Sequence, residues 1–114
     1  MRIVSTTFGD RTKHKMALPT HLFGEWKTSN PRYQDRFFKL EKGLVTIGIG
    51  GKKFELFRIS DVRIENVGNQ DLYTIVCGDS LGVEFKLSFY NDPKKQGVIR
   101  FKNKQKVEWR KARL

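Results

Sequence analysis

Two side chains in this sequence stand out as candidate nucleophiles, Ser80 and Cys77, and the two imidazoles belong to His14 and His21. A serine nucleophile requires a base within hydrogen-bond reach, and a histidine commonly supplies it. Both histidines lie far upstream of Ser80, and no histidine follows it in the chain. The sequence therefore offers a nucleophile without its usual partner.

The segment Gly78-Asp79-Ser80-Leu81 resembles the short motif of the GDSL-type esterases, and it follows a predicted strand, as the nucleophile of that family does. The resemblance implies a histidine near the C-terminus and α/β layering, and the sequence shows neither. We therefore interpret the segment as a polar turn between strands. The protein is predicted not to be an enzyme.

The sequence gives no ligand cluster with the spacing of a metal site, because His14, His21 and the single Cys77 lie apart. Gly48-x-Gly50-Gly51 lacks the following helix and the Lys-Ser/Thr pair of a phosphate-binding loop. No metal and no cofactor are predicted. Cys77 shares a strand face with apolar residues, which favours a small core residue over a reactive thiol.

Positive charge is concentrated at the two ends of the sequence. Residues 1–43 carry nine Lys or Arg against four Asp or Glu, residues 44–90 carry five against six, and residues 91–114 carry nine against two. If the first and last strands of a closed sheet meet, these runs form one basic surface beside the seam, which favours an anionic partner or surface. The predicted basic surface consists of Lys27, Arg36, Lys39, Lys94, Lys95, Arg100, Lys102, Lys104, Lys106 and Lys111.

Aromatic residues are interleaved with several of these cations, as in Arg36-Phe37-Phe38-Lys39. This composition is typical of sheets that bind single-stranded nucleic acid through base stacking and phosphate contacts. A half-buried strand of a basic protein shows the same alternation without any ligand. Binding of nucleic acid is therefore an alternative function rather than the first one.

The middle of the chain shows the period-two alternation of half-buried strands. A strand over 83–90 places four apolar residues on one face: Val83, Phe85, Leu87 and Phe89. A hairpin is predicted where the stripe 45–49 runs into the turn Gly50-Gly51. Further strands, joined by short turns rich in Gly, Asn, Asp and Pro, are predicted at 22–28, 35–42, 53–66 with a bend near Ser60-Asp61, 71–77, 97–102 and 105–110.

Apolar residues nowhere keep helical spacing over three turns, so consecutive strands with tight turns form an antiparallel meander. Seven or eight such strands close, or nearly close, because closure removes exposed sheet edges. The predicted fold is all-β, a small seven- or eight-stranded antiparallel barrel. A chain of 114 residues suits one domain. We place this domain at 20–114, after a basic N-terminal arm at 1–19 that is irregular or a short helix.

Gly24-Glu25-Trp26 opens the first predicted strand of the domain, and Trp109-Arg110 closes the last. The pair resembles the signature of lipocalins and other calycins, in which a Gly-x-Trp meets a C-terminal Arg. The resemblance implies that Arg110 packs across the Trp26 indole and closes the barrel base, a contact of about 0.5–2 kcal/mol. Gly24, Trp26, Trp109 and Arg110 are thus the predicted closure residues. The alternative is two core tryptophans beside a solvated arginine.

The interior of a small barrel is either a pocket or a solid core of side chains. At this chain length we favour a solid core. Seven phenylalanines are candidates for its wall or its filling: Phe37, Phe38, Phe54, Phe57, Phe85, Phe89 and Phe101.

The predicted function is that of a non-catalytic binding or assembly module of lipocalin-like architecture, which takes an apolar small ligand or a protein partner. The alternative is a nucleic-acid or ribonucleoprotein-associated basic barrel. One cysteine forms no internal disulfide, and the start of the chain lacks the apolar stretch of a signal peptide, which together favour the cytoplasm. No apolar run approaches the roughly 20 residues of a transmembrane helix. A signal or anchor removed before residue 1 would leave no trace in this sequence.

Overall fold

A computed structural model describes residues 13–15, as backbone, and residues 18–112. The described residues form nine strands and two short 3-10 turns, Thr20–Leu22 and Pro31–Tyr33. The strands are β1 Lys13–Lys15, β2 Gly24–Lys27, β3 Phe37–Glu41, β4 Leu44–Gly50, β5 Lys53–Val67, β6 Gln70–Gly78, β7 Glu84–Asn91, β8 Val98–Phe101 and β9 Trp109–Lys111.

Eight of these strands, β2 to β9, close into an antiparallel barrel. Each pairs with the next along the chain, and β9 returns to pair with β2. The remaining strand, β1, lies outside this ring against the second half of β5, with Lys13 opposite Ile64. The all-β meander and its closure, predicted from the period-two alternation, are confirmed.

The antiparallel order gives the barrel two different ends. The closed end carries the turn Thr20–Leu22 and the connections β3–β4, β5–β6 and β7–β8. The mouth, at the other end, carries the turn Pro31–Tyr33 and the connections β4–β5, β6–β7 and β8–β9. Two loops that follow one another along the chain therefore lie at opposite ends of the barrel.

Side chains fill the half of the barrel next to the closed end. The Trp26 and Phe38 rings stack with centroids 6.0 Å apart, and the Tyr73 and Phe89 rings stack at 5.4 Å. In the described part of the chain, every buried side-chain nitrogen or oxygen has a hydrogen-bond partner. Side chains exposed by less than 2% include Trp26, Phe89, Leu22, Leu40, Ile75, Ile99, Val45 and Val62.

The phenylalanines divide between the core and the outer face. Phe37 and Phe54 both lie opposite Gly48 in the strand register, one residue out of phase with the inward-facing Phe38. They therefore lie on the outside of the barrel, where Phe54 is 59% exposed. Phe38 and Phe89 are buried, and the other three are partly buried against the core: Phe57, Phe85 and Phe101.

The bend predicted near Ser60-Asp61 coincides with a break in the pairing of β5 and β6. The register shifts between Ile59 and Asp61, so that Ser60 is the extra residue, and its hydroxyl donates to the carbonyl of Val76 at 3.2 Å. Such a bulge bends a strand and increases its twist. The long β5 can thereby pair with β4 along its first half and with β1 along its second half.

The last predicted strand, at 105–110, is wrong in its bounds. Residues 102–108 form consecutive turns, in which Lys104 N donates to Phe101 O and Val107 N donates to Lys104 O, both at 3.1 Å. The strand itself is β9, Trp109–Lys111. The segment before it has a single apolar residue, Val107, among polar ones and so lacks the alternating apolar face of a strand.

The predicted N-terminal arm at 1–19 lies mainly outside the described residues. Within it, Lys13–Lys15 form β1, and Leu18 is 4% exposed in the core. Contact with the barrel therefore begins before residue 20. The described residues contain no helix with the length and apolar character needed to cross a membrane.

We expect Trp26→Ala to lower the free energy of unfolding by about 3–5 kcal/mol, because it removes a fully buried indole and leaves a cavity. Urea denaturation followed by circular dichroism measures this difference. Phe54→Ala, at an exposed position on the outer face, is the control and should cost less than about 1 kcal/mol. Equal costs for the two variants would contradict the assignment of Trp26 to the core.

Cys77 is a buried core residue, as the sequence predicted, and burial raises the pKa of its thiol to about 11. We expect iodoacetamide at pH 8 to modify the folded protein at least roughly 100-fold more slowly than the urea-unfolded chain, because the thiolate is the reactive form. The Cys77 thiol of the unfolded chain ionises at its ordinary pKa, before the buried thiol of the folded protein does. Ionisation of Cys77 therefore lowers the free energy of unfolding as the pH rises from the ordinary thiol pKa toward 11. Similar modification rates in the two states would refute the buried placement.

Candidate functional site

The segment Gly78–Leu81 forms the turn between β6 and β7 at the mouth. One carboxylate oxygen of Asp79 accepts hydrogen bonds from Leu81 N and Val83 N, both at 2.9 Å. Ser80 lies in this turn, whereas His21 lies at the closed end of the barrel. Among the described residues, no three His, Cys, Asp or Glu side chains come together as a metal site would require.

The seam between β2 and β9 brings the predicted closure residues together, but Arg110 does not pack on Trp26. Trp26 lies opposite Lys111, and Lys27 lies opposite Arg110. Alternation therefore directs Arg110 outward, where its side chain is 69% exposed and pairs with Glu108. Trp109 faces inward and contacts Phe38 and Phe101, with centroids 5.4 and 5.8 Å apart.

Lys111 crosses the seam in place of Arg110. Its ammonium donates to the carbonyl of His21 at 2.9 Å, and its stem lies over Gly24, where an added Cβ would approach Lys111 Cε to 2.8 Å. Gly24 also has a φ of +128°, which favours glycine. The sequence predicted Lys111 on the basic surface. It instead faces inward, since it shares a strand face with Trp109.

The turn Thr20–Leu22 acts as the plug of the closed end. The Trp26 indole donates to the carbonyl of Leu22 at 3.0 Å, next to the carbonyl that Lys111 caps. The His21 ring lies 3.1 Å from the side-chain oxygen of Asn91, a residue only 1% exposed at the end of β7. The turn is thus tied to three strands of the barrel by side-chain hydrogen bonds.

Acidic neighbours neutralise part of the predicted basic surface. Arg100 and Arg110 both pair with Glu108, and the hydrogen bond from Arg110, supported by the charges of Arg110 and Arg100, lowers the pKa of that carboxyl. Lys27 and Lys39 each lie 3.9 Å from a carboxylate of their own strand, Glu25 and Glu41 respectively. These four cations therefore offer less charge to a partner than the sequence suggests.

The remaining predicted cations separate between the two ends of the barrel. Lys94 and Lys95 lie in the β7–β8 connection at the closed end, whereas Lys102, Lys104 and Lys106 lie in the β8–β9 loop at the mouth. The lysines of the predicted basic surface are therefore divided between the two ends, because successive loops of an antiparallel barrel lie at opposite ends. Arg36 precedes β3 and joins the mouth group.

The basic groove is a depression of about 540 Å³ between the turn Pro31–Tyr33 and the β8–β9 loop. Four cations line it: Arg32, Lys102, Lys104 and Lys106. Amide, aromatic and apolar side chains complete its lining: Asn30, Asn103, Gln105, Tyr33 and Val107. Sequence reasoning missed Arg32 and Tyr33, which lie about 70 residues upstream of the loop, although Asn30-Pro31 is a turn signal.

The mouth recess is an apolar depression of about 210 Å³ at the open end of the barrel interior. Its lining includes the inward-facing side chains Phe38, Ile47, Leu87, Phe101 and Trp109, together with Tyr33 and Arg36 at the rim. The Arg36 guanidinium lies 5.9 Å from the centroid of the Tyr33 ring. Asp35, its acidic neighbour, packs its carboxylate against Gly50 of β4.

The chain was compared with models of protein families, with curated proteins and with solved structures, and nothing matches it. Its function must therefore be inferred from its own side chains.

Replacing Lys111 or Arg110 with methionine distinguishes the residue that closes the seam from the residue on the outer surface. We expect Lys111→Met to lower the free energy of unfolding by about 1–3 kcal/mol, because the carbonyl of His21 loses its partner at a partly buried site. Arg110→Met removes the same charge from an exposed ion pair and should cost less than about 1 kcal/mol. Urea denaturation of both variants measures the difference, and a larger cost for Arg110→Met would refute closure by Lys111.

Proposed function

We propose that the protein is a non-catalytic binding module of lipocalin-like architecture that holds a small amphiphilic anion at the mouth of its barrel. The observation that carries the proposal is an apolar recess inside the mouth with an arginine on its rim. The apolar part of the ligand enters the recess, and its anionic group stays at the rim near Arg36.

Apolar side chains at the mouth support an apolar ligand group. Ile47, Leu87 and Phe101 face the barrel interior, yet each is only partly buried, unlike the fully buried residues at the closed end. A ligand that covers them removes their surface from water, and each 100 Å² of apolar surface so removed contributes roughly 2.5 kcal/mol. The recess of about 210 Å³ limits the inserted group to one ring system or a short chain.

Charge at the rim supports an anionic group on the same ligand. Arg36 lines the recess, and Lys86 and Lys102 line the adjoining depression, which shares Leu87 and Phe101 with the recess. Arg36 is held over the Tyr33 ring and pairs with no carboxylate within the described residues. Its guanidinium is therefore available to an anion that approaches the mouth.

Two fluorescent probes with the same rings test the proposal, namely 1-anilinonaphthalene-8-sulfonate, which carries a sulfonate, and uncharged N-phenyl-1-naphthylamine. We expect both to bind with one saturable site. Arg36→Gln should weaken the sulfonate probe about fivefold, since a surface charge pair contributes about 1 kcal/mol, and change the uncharged probe by less than about twofold. Leu87→Trp places a larger side chain in the recess and should abolish both signals.

Phe54→Ser is the matched control, because Phe54 is an exposed aromatic residue on the outer face and could bind either probe nonspecifically. It should leave both titrations unchanged. Equal binding by the wild type and Leu87→Trp, or a loss caused by Phe54→Ser, would place the probes outside the recess and refute the proposal.

A further inference from the structure

We propose that the basic groove binds the backbone of a single-stranded nucleic acid, as a second site whose chemistry differs from that of the mouth recess. Three features support this site: the charge of the groove, the fixed geometry of its loop and the side chains between its cations. The two sites adjoin at Tyr33 and Lys102, but Arg32, Lys104 and Lys106 line the groove and not the recess, so variants at these three cations test the groove separately.

The cations of the groove carry unneutralised charge. Within the described residues, ion pairs involve Lys27, Lys39, Arg63, Arg100 and Arg110, and none involves Arg32 or a lysine of the 102–106 segment. The segment 102–106 reads Lys-Asn-Lys-Gln-Lys and contains no acidic residue. Since Glu108 is already shared by two arginines, the loop keeps its full positive charge for a partner.

Hydrogen bonds hold the backbone under these cations in place. Lys102 N donates to Ser88 O at 2.9 Å, and the Gln105 side chain donates to Lys102 O at 3.2 Å. On the opposite side of the groove, Arg32 N donates to the side-chain oxygen of Asn30 at 2.9 Å. The side chains themselves are exposed, but their anchoring points are preformed, which lowers the entropy cost of ordering them around a ligand.

The side chains between the cations suit nucleobases. The amides of Asn103 and Gln105 keep hydrogen-bonding atoms for base edges beyond the bond from Gln105 to Lys102 O. Tyr33, with the Arg36 guanidinium 5.9 Å from its ring centroid, adds an aromatic side chain beside which a base can stack. Tyr33 is itself supported by Trp109, with ring centroids 6.2 Å apart. Sites that bind single-stranded nucleic acids commonly combine phosphate-binding cations with aromatic side chains.

The groove continues along the surface. A second depression, of about 470 Å³, shares Lys102 and Asn103 with the groove and adds Lys86 and Ser88 of β7. The cations Arg32, Lys104, Lys102 and Lys86 thus line two depressions that meet at Lys102 and Asn103. A strand with several phosphates can contact both depressions, whereas a single small anion occupies one of them.

The concave shape favours a single strand over an anionic membrane. The four cations line one shallow depression, and the residues between the lysines of its loop are the amides Asn103 and Gln105. A bilayer surface presents headgroups in a plane and gains from apolar side chains that insert between them. Binding of the groove to an anionic membrane is therefore the alternative that the experiment below tests.

Fluorescence anisotropy of fluorescein-labelled U12 and dT12, titrated with the full chain between 50 and 200 mM KCl, tests the inference. We expect binding at 50 mM KCl that weakens with salt. The triple variant Lys102→Gln, Lys104→Gln, Lys106→Gln should bind more than tenfold more weakly. The slope of log affinity against log salt should fall by about 2, at about 0.7 for each phosphate that the variant no longer neutralises.

A second triple variant, Lys42→Gln, Lys94→Gln, Lys95→Gln, is the matched control. It removes the same charge from exposed lysines at the closed end and should reduce affinity less than threefold. Equal losses in the two triple variants would show that net charge alone attracts the oligonucleotide and would overturn the site. Tyr33→Leu should weaken binding at every salt concentration and leave the salt slope unchanged.

Three further results decide between the alternatives. Absence of binding to both oligonucleotides at 50 mM KCl would overturn the inference. So would sedimentation of the protein with phosphatidylserine-containing vesicles that requires Lys102, Lys104 and Lys106 while the oligonucleotides stay free. The Lys104→Gln, Lys106→Gln double variant should keep its response to the sulfonate probe, so that failure of either proposed site is seen separately.

Discussion

The seam between β2 and β9 is the constraint on which the rest of the structure depends. Within the described residues two residue pairs join these strands, so backbone pairing gives the junction little length. The turn Thr20–Leu22 supplies the missing contacts, since its carbonyls accept from the Trp26 indole and the Lys111 ammonium. Ala112 N adds a bond of 2.7 Å to the carbonyl of Glu25. Without this junction, β2 and β9 would both present free edges.

Alternation in the sequence predicted the barrel well, because its strands bury one face and expose the other. It could not determine which residues of the three-residue strand β9 face inward. In β9 a shift of one residue exchanges Arg110 and Lys111 between the outside and the inside, and only pairing with β2 fixes which cation crosses the seam. The sequence therefore assigned the closing role to Arg110, whereas it is Lys111 that crosses the seam, by its hydrogen bond to the carbonyl of His21.

The candidate sites were predictable in composition but not in position. The excess of Lys and Arg near the C-terminus is visible in the sequence, whereas the loss of two arginines to Glu108 is a matter of strand register. Arg32 and Tyr33 meet the 102–106 segment because both loops lie at the mouth. That meeting follows from topology, and local composition carries no signal for it.

Inward-facing apolar side chains are buried at the closed end of the barrel and partly exposed at the mouth, and this difference bears on function. At the closed end the plug covers the interior, so that Leu22, Trp26 and Leu40 are completely buried. At the mouth, inward-facing Leu87 and Phe101 remain partly exposed beside an arginine. A ligand that covers this exposed apolar surface would gain the hydrophobic free energy of removing it from water. The side-chain hydrogen bonds that join β2, β9 and the plug lie at the closed end, so the partly exposed apolar surface and the charge at the mouth take no part in those bonds.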